Sequence, residues 1–375
     1  MHIKEAIQKG FFTIDGAMGT AVQAIDTDID RDYLGRENCT DILTKSRPDL
    51  VKAIHVSFLE AGVDAIETNT FGANKLVLSE FDDEASTWAY ELNVQSARIA
   101  REACNEVEGE RYVLGSMGPG TKLLTLGQTS WDAMLESYTE QAAGLIEGGV
   151  NAFLIETCQD LLQVKCAINA CMDALEQTGK TVDDVPIMVS ITIETTGTML
   201  VGSDLQTVVH ALAPYPILSL GLNCATGPEL MESHVQWLSD HWQGNISVIP
   251  NAGLPELVDG SAHFPLSAHA FGAAMKRFIE QYGVHIVGGC CGTTPKHLAS
   301  LVALKPEMQL SDRKPEQLIP SATSVYRPVE FKQDTSVLIV AERTNANGSR
   351  KFKRLLEAEQ WDGLVAMARE ELSGG

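Results

Sequence analysis

From residue 11 to about residue 305 the chain alternates short β-rich runs with longer amphipathic helical stretches, and this alternation restricts the fold more than any other feature. The runs are FFTID (11–15), DAIET (64–68), YVLGS (112–116), AFLIE (152–156), PIMVSIT (186–192), ILSLGLN (217–223), ISVIPN (246–251) and HIVGG (285–289). Between them lie helical patterns such as PDLVKAIHVSFLEAG, EASTWAYELNVQSARIAREAC, MLESYTEQAAGLIEGG and AHAFGAAMKRFIEQYG. Pro48 stands where a first-turn proline is tolerated, and Gly62, Gly148 and Gly283 stand where helix C-caps are expected. A faint repeat reinforces the pattern: LEAGVDAIET, IEGGVNAFLIET and EQYGVHIVGG each run helix end, glycine, valine, strand. Glycine accepts the left-handed conformation that ends a helix, and the apolar run suits a strand buried on both faces. Eight such units within about 300 residues predict an α/β fold, a (β/α)8 TIM barrel. A doubly wound open sheet is the main alternative, but no Gly-rich phosphate fingerprint follows the first strand.

After about residue 305 the pattern stops. Residues 306–335 are rich in Pro, Ser and charge without a period and read as an interdomain linker. Residues 336–375 offer one more strand, a polar loop and a helical pattern, too little to build a core alone. They read as the truncated start of a second domain.

Fifty acidic residues against 28 basic ones give a formal charge of -22. Phosphates reward Lys and Arg, so nucleic acid is a poor partner, and anionic membrane surfaces are disfavoured for the same reason. The opening MHIKEAIQKGFFTIDG lacks the apolar run of a signal peptide, and no stretch approaches the roughly 20 apolar residues of a membrane span. A cytoplasmic protein is expected. Eight cysteines in such a chain do not read as a disulfide framework. Cys39, Cys104, Cys158, Cys166 and Cys171 read as small buried hydrophobes, with Cys158, near a strand end, the one weighed as a site residue. The histidines lack ligand spacing.

In a barrel the reactive groups gather at the C-terminal strand ends. Those ends carry Asp15 after strand one, Glu67 and Asn69 after strand two, and Glu156 after strand four. Asn223 and Cys224 follow strand six, Asn251 strand seven, and Cys290 and Cys291 strand eight. Three thiols from strands six and eight thus converge on one mouth. Zinc suits three thiolates, because it takes soft sulfur ligands in a tetrahedral shell and leaves a fourth position open. The alternatives are a vicinal disulfide at Cys290–Cys291, or three buried thiols with no shared task. A thiol entering an open position loses its proton and stays nucleophilic. Asp15 and Glu156 suit an ammonium group, and the backbone N–H groups of the turn Gly16, Ala17, Met18, Gly19, Thr20 suit a carboxylate. Glu67 shares their position, with a hydrogen-bonded rim carboxylate as its alternative role.

The segments DGAMGT (15–20), IETNTFGAN (66–74), GLNCATGP (221–228), IPNAG (249–253) and GGCCGTTPKH (288–297) resemble the homocysteine S-methyltransferase family over roughly residues 1–305. The resemblance implies a zinc ion on Cys224, Cys290 and Cys291. It also implies homocysteine held at Asp15, the Gly-rich turn and Glu156, and Asn251 beside the metal. The tail VLIVAERTNANGSRKFKRLL resembles the opening strand and loop of the pterin-binding barrel of the cobalamin-dependent methionine synthases. Ala341 replaces the usual glycine there, with Glu342, Arg343, Thr344 and Asn345 in register as a partial folate motif. This branch implies methylcobalamin as methyl donor, bound by a module absent from this chain, and 5-methyltetrahydrofolate in a longer protein. The basic stretch Arg350, Lys351, Lys353, Arg354 reads as a solvated helix face rather than an anion site. The rival readings are a free-standing methyltransferase using S-methylmethionine or betaine, a docking module with a structural zinc, and a redox-sensing thiol pair.

Overall fold

A computed structural model of the protein describes residues 1–258, 261–334 and 343–373. Each of the eight runs yields a strand: β1 Phe12–Thr13, β2 Ala65–Glu67, β3 Tyr112–Met117, β4 Ala152–Cys158, β5 Ile187–Ile191, β6 Ile217–Asn223, β7 Asn245–Ile249 and β8 Ile286–Val287. They form one parallel sheet in the order β1-β8-β7-β6-β5-β4-β3-β2. A parallel bridge between Ile14 and Ala65 brings its two ends together, so the sheet closes as the expected barrel. The seam is reinforced below that bridge. Asp64 Oδ2 accepts hydrogen bonds from both the N–H and the Oγ1 of Thr13, each at 2.7 Å, and pairs with Lys305 Nζ at 2.5 Å.

The strands read as continuous apolar runs because both of their faces are covered; β3 and β5 are buried at every residue. One core lies between sheet and helices. A second fills the barrel, with Phe12, Ile14, Tyr112, Leu114, Leu154, Met188 and Ile286 packed around Ile3 and Ile7. Those two isoleucines belong to the helix Ile3–Gln8, which plugs the N-terminal end of the barrel; the opening residues carry no strand and were not expected to do this.

The helix ends follow the sequence with small shifts. Pro48 opens Pro48–Glu60, and Gly283 ends Ala268–Tyr282 in a left-handed conformation. The left-handed cap of Trp131–Gly148 is Gly149 (φ 90°), not Gly148. Gly148 is needed one step earlier for close packing, since a Cβ there would sit 2.5 Å from that of Ala97. The long pattern around EASTWAY splits into Asp83–Ser86 and Ala89–Asn105. Ser86 and Thr87 turn their hydroxyls back onto the carbonyls of Asp83 and Glu84, which competes with continuation of the helix.

Contacts divide the chain into one unit of residues 1–318 with 323–328 and another of 319–322 with 329–375. Much of the stretch read as linker is pinned to the first unit. Arg313 donates to the carbonyls of Ser239, Trp242 and Gly244, Glu316 N–H to Asp240 O, and Thr207 Oγ1 to Tyr326 O. The second unit contains the helices Arg350–Glu357 and Trp361–Ser373. The expected strand at its start, with Ala341 and Glu342, lies outside the described residues. Asn345 Oδ1 accepts from the N–H groups of Asn347 and Gly348, a turn that feeds the Ser349 cap, and Arg350, Lys351, Lys353 and Arg354 are exposed. Among the described residues no helix is long and apolar enough to cross a membrane.

His55 in Pro48–Glu60 is fully buried, and neither ring nitrogen has a hydrogen-bond partner. Burial lowers its pKa from 6.5 to about 4. The folded state therefore disfavours the protonated ring. Stability is full above the unfolded pKa and falls as pH drops from 6.5 towards 4, by up to roughly 3 kcal/mol. Replacement by an apolar residue of similar size, His55→Leu, is expected to raise the melting temperature and flatten its pH dependence over that window, as read by thermal melts at pH 4.5 and 7.5. Equal pH dependence in both proteins would refute the assignment.

Candidate functional site

The sheet order sets the problem that the site has to solve. β7 lies between β6 and β8, so the ends that carry Cys224 and the Cys290–Cys291 pair start roughly 10 Å apart. The exit of β7 serves as a common template for both turns. Cys224 N–H bonds to Ile249 O at 3.2 Å, Cys290 N–H to Pro250 O at 2.8 Å, and Ala252 N–H to Cys291 O at 2.9 Å. Left-handed backbone then bends each turn inward: Cys224 has φ 60°, Ala225 φ 51° and Gly292 φ 77°. Non-glycine residues rarely adopt that conformation, and it is retained where surrounding bonds over-determine it. Gly292 also has no room for a side chain, since a Cβ would lie 2.1 Å from the Phe264 ring.

The outcome is a cluster of three sulfurs. Cys224 Sγ is 3.8 Å from Cys291 Sγ, Cys290 Sγ is 4.0 Å from Cys291 Sγ, and all three lie within 4.8 Å of one another. A disulfide needs about 2.05 Å, and all eight cysteines are free. Zinc–sulfur bonds of about 2.3 Å in a tetrahedral shell place sulfurs roughly 3.8 Å apart. The residues therefore fit a zinc ion in spacing and in chemistry. Hydrogen bonds from Cys224 and Cys290 push the Cys291 thiol down to about 3, and Cys290 is driven up in return by its bonds to Cys224 and Cys291. Proximity of the three sulfurs thus favours the charged form at Cys291 and disfavours it at Cys290. Asn251 follows the β7 exit, donates its N–H to Thr226 O, and keeps a buried Oδ1 without a partner. A buried acceptor left without a partner near the strand ends that carry Cys224 and Cys290 is consistent in chemistry with a cation site.

The sulfurs sit on the wall of a cavity of about 390 Å³. Asp15, Glu67 and Glu156 line it from β1, β2 and β4, and the turn Gly16–Thr20 lines it through the start of the helix Met18–Gln23, which has no side-chain cap. No lysine, arginine or histidine is among the described residues that line it. Burial lifts Asp15 well above the carboxylate range against the pull of the Glu67 N–H. Glu67 is lifted by burial and by facing Glu156 and Asp15. Glu156 is raised to about 7, burial outweighing the hydrogen bond from Ser116 Oγ. Three facing carboxylates cannot all ionise without a cation among them. The well is built to receive positive charge.

A family model described as homocysteine S-methyltransferase matches residues 12–304. This chain belongs to the homocysteine S-methyltransferase family. It is 43% identical over 369 residues to a methionine synthase of Mycobacterium tuberculosis and 42% identical over 368 residues to one of Mycobacterium leprae. Each match covers 96% of this chain but only 30% of the relative, so the chain spans less than a third of their length. The fold also matches the metallated form of the homocysteine methyltransferase MmuM from Escherichia coli, with a TM-score of 0.61, 22% identity, and coverage of 80% of this chain and 99% of that one.

Within this family fold, most residues expected at the mouth line the cavity, but the side chains of Asn69 and Asn223 are spent on protein partners. Asn69 lines it, yet its Nδ2 is spent on Thr40 O at 2.9 Å and its N–H on Ser96 Oγ. Asn223 is fully buried off the cavity and bonds to Thr157 and Ser190. Asn251 is not among the residues lining the cavity. Cys158 is fully buried, and burial pushes its thiol far up, which removes it from consideration. Arg343, Thr344 and Asn345 are in the second unit, outside this cavity. The sequence reading passed over Ser116, Thr157 and Asp41. Ser116 ends the third run, and applying the strand-end rule to hydroxyls as well as acids would have found it. Asp41 was hidden in a loop: it lines the cavity and accepts from Gly72 N–H at 2.9 Å, tying the loops after β1 and β2 together.

Removing one sulfur leaves two donors, too few for a stable site. Cys291→Ala, expressed with zinc, is expected to retain less than a tenth of the zinc of the parent by elemental analysis while keeping its circular dichroism. Loss of the fold on substitution would instead mark a structural metal.

Proposed function

We propose that this chain is the homocysteine-binding module of a methionine synthase, and that it presents the homocysteine sulfur as the nucleophile for methyl transfer. The observation that carries the reading is the meeting of three sulfurs at tetrahedral spacing on the wall of an acidic, cation-free well. The identity to methionine synthases supports the branch of the family.

Cys224, Cys290 and Cys291 would hold zinc, which lowers the pKa of an entering thiol and keeps its sulfur nucleophilic near neutral pH. Glu156 and Asp15 bind the ammonium group, with Glu67 as a third carboxylate. Ser116 Oγ and the Glu67 carboxyl both hydrogen-bond to Glu156 and orient it in the well. The first-turn amides of Met18, Gly19 and Thr20 take the carboxylate, Ala17 N–H being held by Thr293 Oγ1 at 3.4 Å. A homocysteine thiol seated there would release its proton to solvent. Methylcobalamin, held by another module of the longer protein, would supply an electrophilic methyl group whose bonding pair stays with cobalt as the S–C bond forms, while this chain's carboxylates and turn orient the sulfur. The corrin and 5-methyltetrahydrofolate belong to other modules of the longer protein. On this reading residues 1–305 are the catalytic barrel, 306–335 connect it onward, and 336–375 begin a pterin-binding domain, all in the cytoplasm.

Zinc-edge absorption of the purified chain is expected to change from a three-sulfur to a four-sulfur shell when homocysteine is added. A zinc-free reduced protein, or a shell that homocysteine leaves unchanged, would overturn the proposal. Glu156→Gln is expected to weaken homocysteine binding by about 10- to 100-fold in calorimetry, the loss of one charge-assisted hydrogen bond, with zinc content unchanged. Free methylcobalamin should be turned over slowly; brisk turnover with S-methylmethionine or betaine would sink the donor assignment.

A further inference from the structure

We propose that Asn223 is a positioning residue that fixes the span between the sulfur end and the ammonium end of the site, and so selects homocysteine over the shorter cysteine. The inference rests on the reading above, with the thiol at the cysteine cluster and the ammonium at Glu156.

Those two ends belong to different strands. Cys224 follows β6 and Glu156 lies in β4, with β5 between them. Strands two apart start roughly 10 Å from each other, and their loops are free to shift unless something ties them. Asn223 ties them. Its Oδ1 accepts from Thr157 N–H at 2.9 Å and from Ser190 Oγ at 2.8 Å, and its Nδ2 donates to Thr157 Oγ1 at 2.7 Å. One carboxamide thus grips both the backbone and the side chain of the residue after Glu156 and reaches across β5 at Ser190. Thr192, just past the end of β5, donates its Oγ1 hydrogen to the Asn223 carbonyl at 3.1 Å.

The grip falls where the backbone is least able to hold itself. Thr157 has φ 58°, and the pairing of β4 with β5 shifts register between Ile155 and Cys158. A bulge of this kind re-aims a side chain, here Glu156, into the cavity. Cys224, next to Asn223, has φ 60°. Two left-handed residues, one after the carboxylate and one carrying a sulfur, are therefore joined through one fully buried side chain. Asn223 touches neither the cavity nor the cluster, so its effect is on geometry alone. A ligand one methylene shorter cannot reach both ends if the span is rigid, and a single methylene is worth roughly 10- to 200-fold in selectivity.

The test compares calorimetric affinities of the zinc-loaded 375-residue chain for homocysteine and for cysteine, alongside zinc content and melting temperature. The parent is expected to prefer homocysteine by at least about tenfold. In Asn223→Ala the preference should shrink to within about threefold, through weaker homocysteine binding and unchanged or improved cysteine binding, with zinc retained. Thr157→Val keeps the N–H and shape but removes the Oγ1 acceptor, and should lose part of the preference; Thr157→Ser should keep it. Should Asn223→Ala not fold, Thr157→Val against Thr157→Ser decides. A parental ratio in Asn223→Ala or Thr157→Val, or an equal loss for both ligands, overturns the gauge and leaves the proposed function standing. Zinc-loaded parent that binds neither thiol overturns both.

Discussion

The exit of β7 is the constraint on which the rest of this site depends. Its backbone between Ile249 and Ala252 supplies hydrogen-bond partners to the turn after β6 and to the turn after β8, so two loops distant in sequence are indexed against one strip of chain. That shared strip, with Thr20 Oγ1 accepting from Gly292 N–H at 3.1 Å, holds the left-handed residues at Cys224, Ala225 and Gly292 in place. Closure of the barrel matters in the same way. The Asp64–Thr13–Lys305 seam brings β1 beside β8, and so Asp15 beside the sulfurs, with Gly289 N–H bonded to Asp15 O at 3.0 Å.

The electrostatics follow from this packing. Burying Asp15, Glu67 and Glu156 together with three thiols in one well costs free energy in the absence of positive charge, as the upward shifts of all three carboxyls register. A protein keeps such an arrangement where ligands supply the missing charge. Here a divalent ion at one end and an ammonium at the other would do so, and the same two charges define a short amino acid with a thiol at its far end.

Much of this was legible in the sequence because barrels translate position into role. Eight apolar runs, three of them with glycine-valine leads, marked the strands, and the strand-end rule marked Asp15, Glu67, Glu156 and the three cysteines, five of which are separated by dozens of residues. What escaped detection was of two kinds. The N-terminal helix Ile3–Gln8 is too short to show a period, and its Ile3 and Ile7 have meaning only against the barrel floor. The roles of Asn69 and Asn223 depend on which way an amide points, and spacing carries no information on that: an asparagine at a strand end is equally suited to meet a ligand or to brace a neighbouring strand. Residues 306–335 read as a linker from Pro, Ser and charge, and what that composition does not announce is the anchoring of Arg313 on three backbone carbonyls.

The floor helix has a consequence for traffic. Ile3 and Ile7 pack into the lower end of the barrel, so side chains close its floor beneath the strands. On the proposed reading the thiol and the methyl donor would share the mouth at the strand ends, so the thiol would be seated first and the product would leave only after the donor withdraws. A cork at the bottom of the barrel thus imposes a queue at the top.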